Sequence, residues 1–131
     1  MREMSVLLDT NAFLWALEDA ARLSSRARTI FADAGQEKVV SVAVFWEMTI
    51  KASLGKLRVG RAPDELMASL PEAGVIRVLP IEASHLRRLG TLPHHHRDPF
   101  DRLMIAQALE EGLEVVSSDD AWDAYGVTRI W

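Results

Sequence analysis

Apolar residues fall along this chain in short blocks separated by polar punctuation. Ser5 to Leu8 is a brief apolar run that stops abruptly at Asp9-Thr10-Asn11, the pattern of a short, fully buried strand. Ala12 to Glu18 is apolar-rich over a helical length, and Ser24-Ser25 can cap a second helix through about Ala34, closed by Gly35. Lys38 to Val42 is again β-branched and strand-like. It leads straight into a helix from Ala43 to Leu54, ended by Gly55. After the breaks at Gly60 and Pro63, a helix is predicted from Asp64 to Ala73, stopped by Gly74, followed by a strand from Val75 to Leu79. Ile81-Glu82-Ala83-Ser84 opens another helix that ends near Gly90. Thr91 to Arg97 is a polar loop, and Asp98-Pro99 begins a helix running to Glu111 with Gly112 just after it. Glu114 to Ser117 is a fourth strand, Asp119 to Tyr125 a short helix or turn, and Val127 to Ile130 a last short strand. Short apolar strands alternating with helices predict βαβ units and a mostly parallel sheet covered on both faces.

The 131 residues suit a single domain over 1–131, with no internal repeat, low-complexity tract or linker. Hydrophobic residues at 49% and charged residues at 26% exclude a disordered chain. The absence of cysteine removes disulfide frameworks, thiolate zinc sites, iron–sulfur clusters and cysteine nucleophiles together. The apolar run near Met1 is too short for a signal peptide, and no stretch approaches membrane-spanning length, so a cytoplasmic protein is expected. The net charge of −4 argues mildly against nucleic acid as a partner. If four carboxylates are committed to a cation, however, the other 15 acids match the 15 Lys and Arg residues, and the objection disappears.

In open parallel sheets, ligands bind beyond the carboxyl ends of the strands. Asp9 directly follows the first strand and Asp119 lies two residues past the fourth. Either could simply cap the next helix. Asp120 is a rival to Asp119 but sits one step further into the helix. Glu47 occupies a helix that is apolar almost all round (Val44, Phe45, Trp46, Met48, Ile50 and Leu54). An i, i+4 ion pair with Lys51, worth about 0.3–0.5 kcal/mol, is its plain reading. A buried helix nevertheless demands a stronger reason for a carboxylate. In Asp98-Pro99-Phe100-Asp101, Asp98 is placed as the cap, while Asp101 heads the apolar stripe of Met104, Ile105 and Ala108 and is assigned to chemistry. Asp9, Glu47, Asp101 and Asp119 can therefore meet at one sheet edge, where their mutual repulsion calls for a divalent cation. Oxygen-only ligands favour Mg²⁺ or Mn²⁺ over Zn²⁺, and such acidic clusters serve phosphodiester hydrolysis. The run His94-His95-His96 reads as a polar loop before a capped helix, with His96 or Arg97 as a secondary candidate for a phosphate contact. The tryptophans Trp15, Trp46, Trp122 and Trp131 read as core or interface.

Val6-Leu7-Leu8-Asp9-Thr10-Asn11, Phe45-Trp46-Glu47, His95-His96-Arg97-Asp98-Pro99-Phe100-Asp101-Arg102-Leu103 and Val116-Ser117-Ser118-Asp119 stand in this order along nearly the whole chain. Together they resemble the PIN-domain ribonucleases, most closely the VapC-like toxins of type II toxin–antitoxin operons. The resemblance implies a three-layer α/β/α sandwich with a central, mostly parallel sheet of about four or five short strands. It also implies Mg²⁺ or Mn²⁺, RNA cleavage and a small cognate antitoxin. By position it makes Asp9, Glu47, Asp101 and Asp119 the acidic set, with Asn11 and Ser117 bordering it. Ser117 replaces the usual threonine and Trp122 the usual phenylalanine. Arg97, Arg102 or Lys51 are candidates to steer phosphates.

Two other readings compete. One is a catalytically inactive PIN-like scaffold that binds RNA or protein, against which all four acids are present. The other is an aspartyl-phosphate phosphatase, which needs an Asp where Asn11 stands. The helix carrying Phe13, Leu14, Trp15 and Leu17 has more apolar residues than one buried stripe needs. A homodimer that receives an antitoxin tail is expected there.

Overall fold

The apolar runs become the strands of one sheet. The structure, a computed structural model, describes residues 5–58, 60–70 and 76–131. In chain order the elements are β1 (Val6–Leu8), α1 (Thr10–Glu18), a 3-10 helix (Ala20–Arg22), α2 (Ser25–Ala32), β2 (Lys38–Ser41) and α3 (Val42–Ser53). There follow α4 (Pro63–Ser69), β3 (Ile76–Leu79), α5 (Ala83–Thr91), α6 (Pro99–Glu111), β4 (Glu114–Val116), a second 3-10 helix (Asp120–Tyr125) and β5 (Arg129–Ile130). Residues 71–73 of the expected fourth helix, Val75 of the expected third strand and the first four residues lie outside the described residues.

Every strand pairing is parallel, and the order is β3-β2-β1-β4-β5. β1 and β2 are buried at each position, as strands covered on both faces must be. From β1 the chain steps to β2 and β3, then returns to the far side of β1 for β4 and β5. Right-handed crossovers place the connecting helices of the two halves on opposite faces, giving the α/β/α sandwich. The strand order reverses between β1 and β4, so the carboxyl ends of these two strands frame the natural crevice.

Element boundaries follow side-chain caps more closely than apolar pattern. α1 begins at Thr10, two residues before the expected start, because Asp9 accepts the Ala12 backbone N–H at 2.7 Å immediately after the strand. β2 ends at Ser41, not Val42, because the Ser41 hydroxyl accepts the Ala43 N–H at 3.0 Å and opens α3. Gly112, with φ +66°, closes α6 in a left-handed conformation that suits glycine.

The core joins both faces through Phe13, Met48, Met104, Ile105 and Trp122, all fully buried. Phe13 meets Phe45 edge-on, with centroids 5.6 Å apart. The apolar surplus on α1 is divided: Phe13 belongs to the core, Leu14 and Trp15 are half-buried, and Leu17 is the exposed member left for a partner face. Trp15 and Trp131 pack on each other with centroids 5.9 Å apart, while Trp46 is exposed and stands edge-on to Phe100 at 4.8 Å. No described helix is long and apolar enough to cross a membrane.

Candidate active site

The crevice at the strand reversal is lined with carboxylates, each delivered by a different junction. Asp9 is the first residue after β1, and its N–H donates to the Val116 carbonyl at the end of β4 (3.1 Å). Its two oxygens do different work. Oδ1 caps α1, while Oδ2 accepts the Ser117 hydroxyl at 2.6 Å. Ser117, itself fully buried, also accepts the Asp119 N–H at 3.1 Å and so ties the loop after β4 to the end of β1. Burial pushes Asp9 up to about 6. The bonds from Ser117 and Ala12 oppose that shift, and the charges of Asp119 and Glu47 add to it.

Glu47 is buried on α3. Its Oε1 accepts the Thr10 hydroxyl at 2.7 Å, and its Oε2 pairs with the Lys51 ammonium at 2.7 Å. The helical ion pair and the buried carboxylate are thus one and the same arrangement. Asp98 caps α6, with Oδ1 accepting the N–H groups of Phe100 (2.8 Å) and Asp101 (3.1 Å). Asp101, in the first turn of α6, is pushed up to about 7, first by burial and then by the neighbouring Asp98 charge, with His96 opposing. Asp119 caps the second 3-10 helix through Oδ1, which accepts the Ala121 N–H at 3.0 Å. Burial raises this group too, but the hydrogen bond from His96 and the one from Ala121 outweigh it and hold Asp119 below the usual carboxylate range.

Asp9, Thr10, Asn11, Glu47, Lys51, Asp98, Asp101 and Asp119 line one cleft of about 130 Å³. Asn11 is exposed at its rim, and Lys51 is the single cation among these lining residues. Arg97 and Arg102 are not among them. Arg102 instead donates to the Leu92 carbonyl at 3.1 Å, which draws its guanidinium back over the loop after α5. Arg97 is exposed to solvent.

Two residues at the cleft make contacts that the sequence does not announce. Thr10 reads as part of a turn, and nothing local announces a partner 37 residues away. His96 reads chiefly as loop polarity. It is the one histidine of its run whose ring sits against the acids, with Nε2 2.8 Å from Asp119 Oδ2 and 3.1 Å from Asp101 Oδ2. The only sequence signal is its position two residues before the α6 cap.

Asp9, Asp101 and Asp119 present oxygen donors to a cleft holding more negative than positive charge. Burial, with the neighbouring acid charges, raises two of these carboxyls to about 6 and about 7, the direction expected where acids outnumber cations. Such donors fit a hard divalent cation. His96, Asp101 and Asp119 also bring one ligand-type atom each within 4.8 Å of one another.

Comparison with known proteins identifies the domain and the fold. A family model of the PIN domain matches residues 6–127. Among solved structures, VapBC2 from Rickettsia felis bound to a promoter DNA fragment superimposes with a TM-score of 0.70 at 14% identity, over 97% of this chain and 98% of that one. DNA-bound VapBC from Salmonella typhimurium gives 0.69 at 17% identity, over 98% of both chains. VapC20 of Mycobacterium tuberculosis, a toxin that cleaves the sarcin–ricin loop, gives 0.66 at 20% identity, over 96% of this chain and 98% of that one. No curated protein matches by sequence.

Proposed function

The chain belongs to the PIN-domain family, and from that premise we propose that it is a Mg²⁺- or Mn²⁺-dependent endoribonuclease acting as the toxin of a toxin–antitoxin pair. The observation that carries this reading is the convergence of Asp9, Glu47, Asp101 and Asp119 on one cleft from four separate stretches of chain. A scaffold that only binds has no use for four acids whose mutual repulsion opposes folding.

Asp9, Asp101 and Asp119 would hold the cation. When bound, the ion supplies an ionised water as nucleophile and offsets charge on the departing oxygen of the phosphodiester. The remaining residues prepare that chemistry. Ser117 orients Asp9, and the Thr10 hydroxyl holds Glu47 at the cleft, where it would hold a second ion or orient a water. Lys51 lies against Glu47 and is half-exposed, placed to meet a phosphate oxygen. Asn11 borders the same opening. The cleft opens to solvent and holds about 130 Å³, roughly four waters, which gives room for an ion and a phosphate group. RNA flanking the cut would run over the surrounding surface. Arg97, exposed beside the cleft loop, remains a candidate for that surface, while Arg102 is already engaged with Leu92.

The antitoxin and the homodimer belong to the same proposal. They are supported by the VapBC complexes among similar structures and by the exposed Leu17, Trp46, Ile50 and Leu54. Leu17 and Leu66 also line a separate, mainly apolar hollow of about 270 Å³ that contains none of the four acids.

The decisive experiment is RNA cleavage by the purified protein in chelator and after restoring Mg²⁺ or Mn²⁺. Cleavage should vanish in chelator and return with the ion. Full activity in chelator rejects the mechanism, and an absence of cleavage under every metal condition favours the scaffold.

A further inference from the structure

His96 joins more of the cleft than any of the acids does. Its backbone N–H and that of His95 both donate to the buried Tyr125 hydroxyl, at 2.8 and 2.9 Å. That pins the loop to the 3-10 helix that Asp119 caps. The ring then spans two elements. Nδ1 accepts the Asp98 backbone N–H at 3.0 Å, at the start of α6. Nε2 donates to Asp119 Oδ2 at 2.8 Å and lies 3.1 Å from Asp101 Oδ2.

These contacts decide where the ring proton sits. A nitrogen that accepts a hydrogen bond carries no proton, so the imidazole proton is on Nε2. The consequence concerns the cation. His96, Asp101 and Asp119 together have the look of a mixed histidine–carboxylate metal site. A neutral imidazole, however, binds a metal only through the nitrogen that lacks a proton. Here that nitrogen is turned to the Asp98 N–H. Ligation through Nε2 would require the proton on Nδ1, pointing one N–H directly at another.

We propose that His96 is a positioning residue and not a metal ligand: its Nε2–H holds Asp119 and Asp101 together and selects which of their oxygens face the cation. The Asp98 backbone N–H enforces this by fixing the tautomer. The donor set is thereby kept all-oxygen, which suits a hard ion and disfavours the softer metals that imidazole attracts. This inference rests on the reading of the cleft as a cation site.

The test uses the full chain with ¹⁵N-labelled histidine. In the metal-free protein, long-range proton–nitrogen correlation should place the His96 proton on Nε2, with the resonance assigned by its loss in His96→Gln. A proton on Nδ1 overturns the proposal. With Mn²⁺ added, pulsed EPR should show no coupling to a directly bound histidine nitrogen, and such a coupling overturns it equally. Mn²⁺ titration then separates the two faces of the ring. His96→Gln keeps an N–H donor towards the acids and should bind near the wild-type level. His96→Asn keeps only the acceptor for Asp98 and should bind about 10- to 100-fold more weakly. Melting curves of the metal-free variants check that both remain folded. Equal binding by His96→Asn and wild type, or equal weakness of the Gln and Asn variants, sinks the inference. If the wild-type protein takes up no Mn²⁺ at all, it is the cation reading that fails.

Discussion

Two histidines in this molecule are wired almost alike, and only one of them sits at a site. His85, on α5, is fully buried. Its Nδ1 accepts the Glu82 N–H at 3.0 Å and its Nε2 faces Glu111 Oε1 on α6 at 3.0 Å. His96 likewise accepts a backbone N–H at Nδ1 and turns Nε2 to carboxylate. The difference lies in the count of acids per N–H. At His85 one ring nitrogen meets one carboxylate, and the result is a clip between two packed helices, with Gln107 completing it by donating to the Pro80 carbonyl at 3.3 Å. At His96 two carboxylates converge on one N–H, and Asp9 and Glu47 lie just beyond. A balanced polar cluster stabilises a fold. An unbalanced one leaves charge that protons or a bound cation must neutralise.

The sharpest way to break this contrast is to remove one acid from each cluster. Asp101→Asn should reduce RNA cleavage by at least about 100-fold, because metal-borne charge stabilisation is worth several kcal/mol. The metal-free variant should melt no lower than wild type. Glu111→Ala should do the reverse. It leaves a buried N–H without its acceptor, costs about 1–3 kcal/mol of stability, and keeps the cleavage rate per folded molecule. Retained cleavage in Asp101→Asn, measured alongside both melting curves, would remove the distinction.

A second test uses pH. Asp9 and Asp101 are raised from the usual 3.8 to about 6 and about 7. Both therefore bind protons more tightly in the folded chain than in the unfolded one. Their contribution favours folding at acid pH and is lost as pH rises from about 4 through 6 and 7. Denaturant titrations of the metal-free protein should show stability from these groups falling by a few kcal/mol over that window, because a tenfold difference in proton affinity between the two states is worth about 1.4 kcal/mol. Asp101→Asn should flatten the fall, and saturating Mg²⁺ should offset it increasingly as the competing protons leave. A metal-free stability that is level from pH 5 to 8 would show that the cluster is already balanced, like the one at His85.

The smallest effect concerns Asp98, which belongs to both descriptions because it lines the cleft yet caps α6. Asp98→Ala should cost about 1 kcal/mol, the worth of the cap, while retaining most cleavage. The backbone N–H that fixes the His96 tautomer survives this substitution. Loss of cleavage without loss of stability would move Asp98 from the cap to the chemistry.

What the chain alone determined is what local physics reaches. Apolar runs of three or four residues between helices specified parallel strands, and each acid of the proposed set follows from a junction legible within a few positions. Asp9 and Asp119 follow strands, Asp101 lies inside the turn that Asp98 and Pro99 start, and Glu47 interrupts an apolar helix. Cap and site are rival roles for Asp9 in the sequence, yet a carboxylate has two oxygens: Oδ1 caps α1, while Oδ2 meets the Ser117 hydroxyl beside the cleft. The tertiary structure decided everything that depends on distant partners. Ser117 reaches Asp9 across 108 positions and Thr10 reaches Glu47 across 37. The sequence offers His96 for a phosphate contact, but that its ring turns onto Asp101 and Asp119 was outside the reach of any local rule. Neighbouring residues in a loop point in different directions, and the path is set by where the Tyr125 hydroxyl receives the loop's backbone. Hydrogen bonds between remote segments have no period and no spacing, so they leave no pattern in a sequence until the strands have brought those segments together.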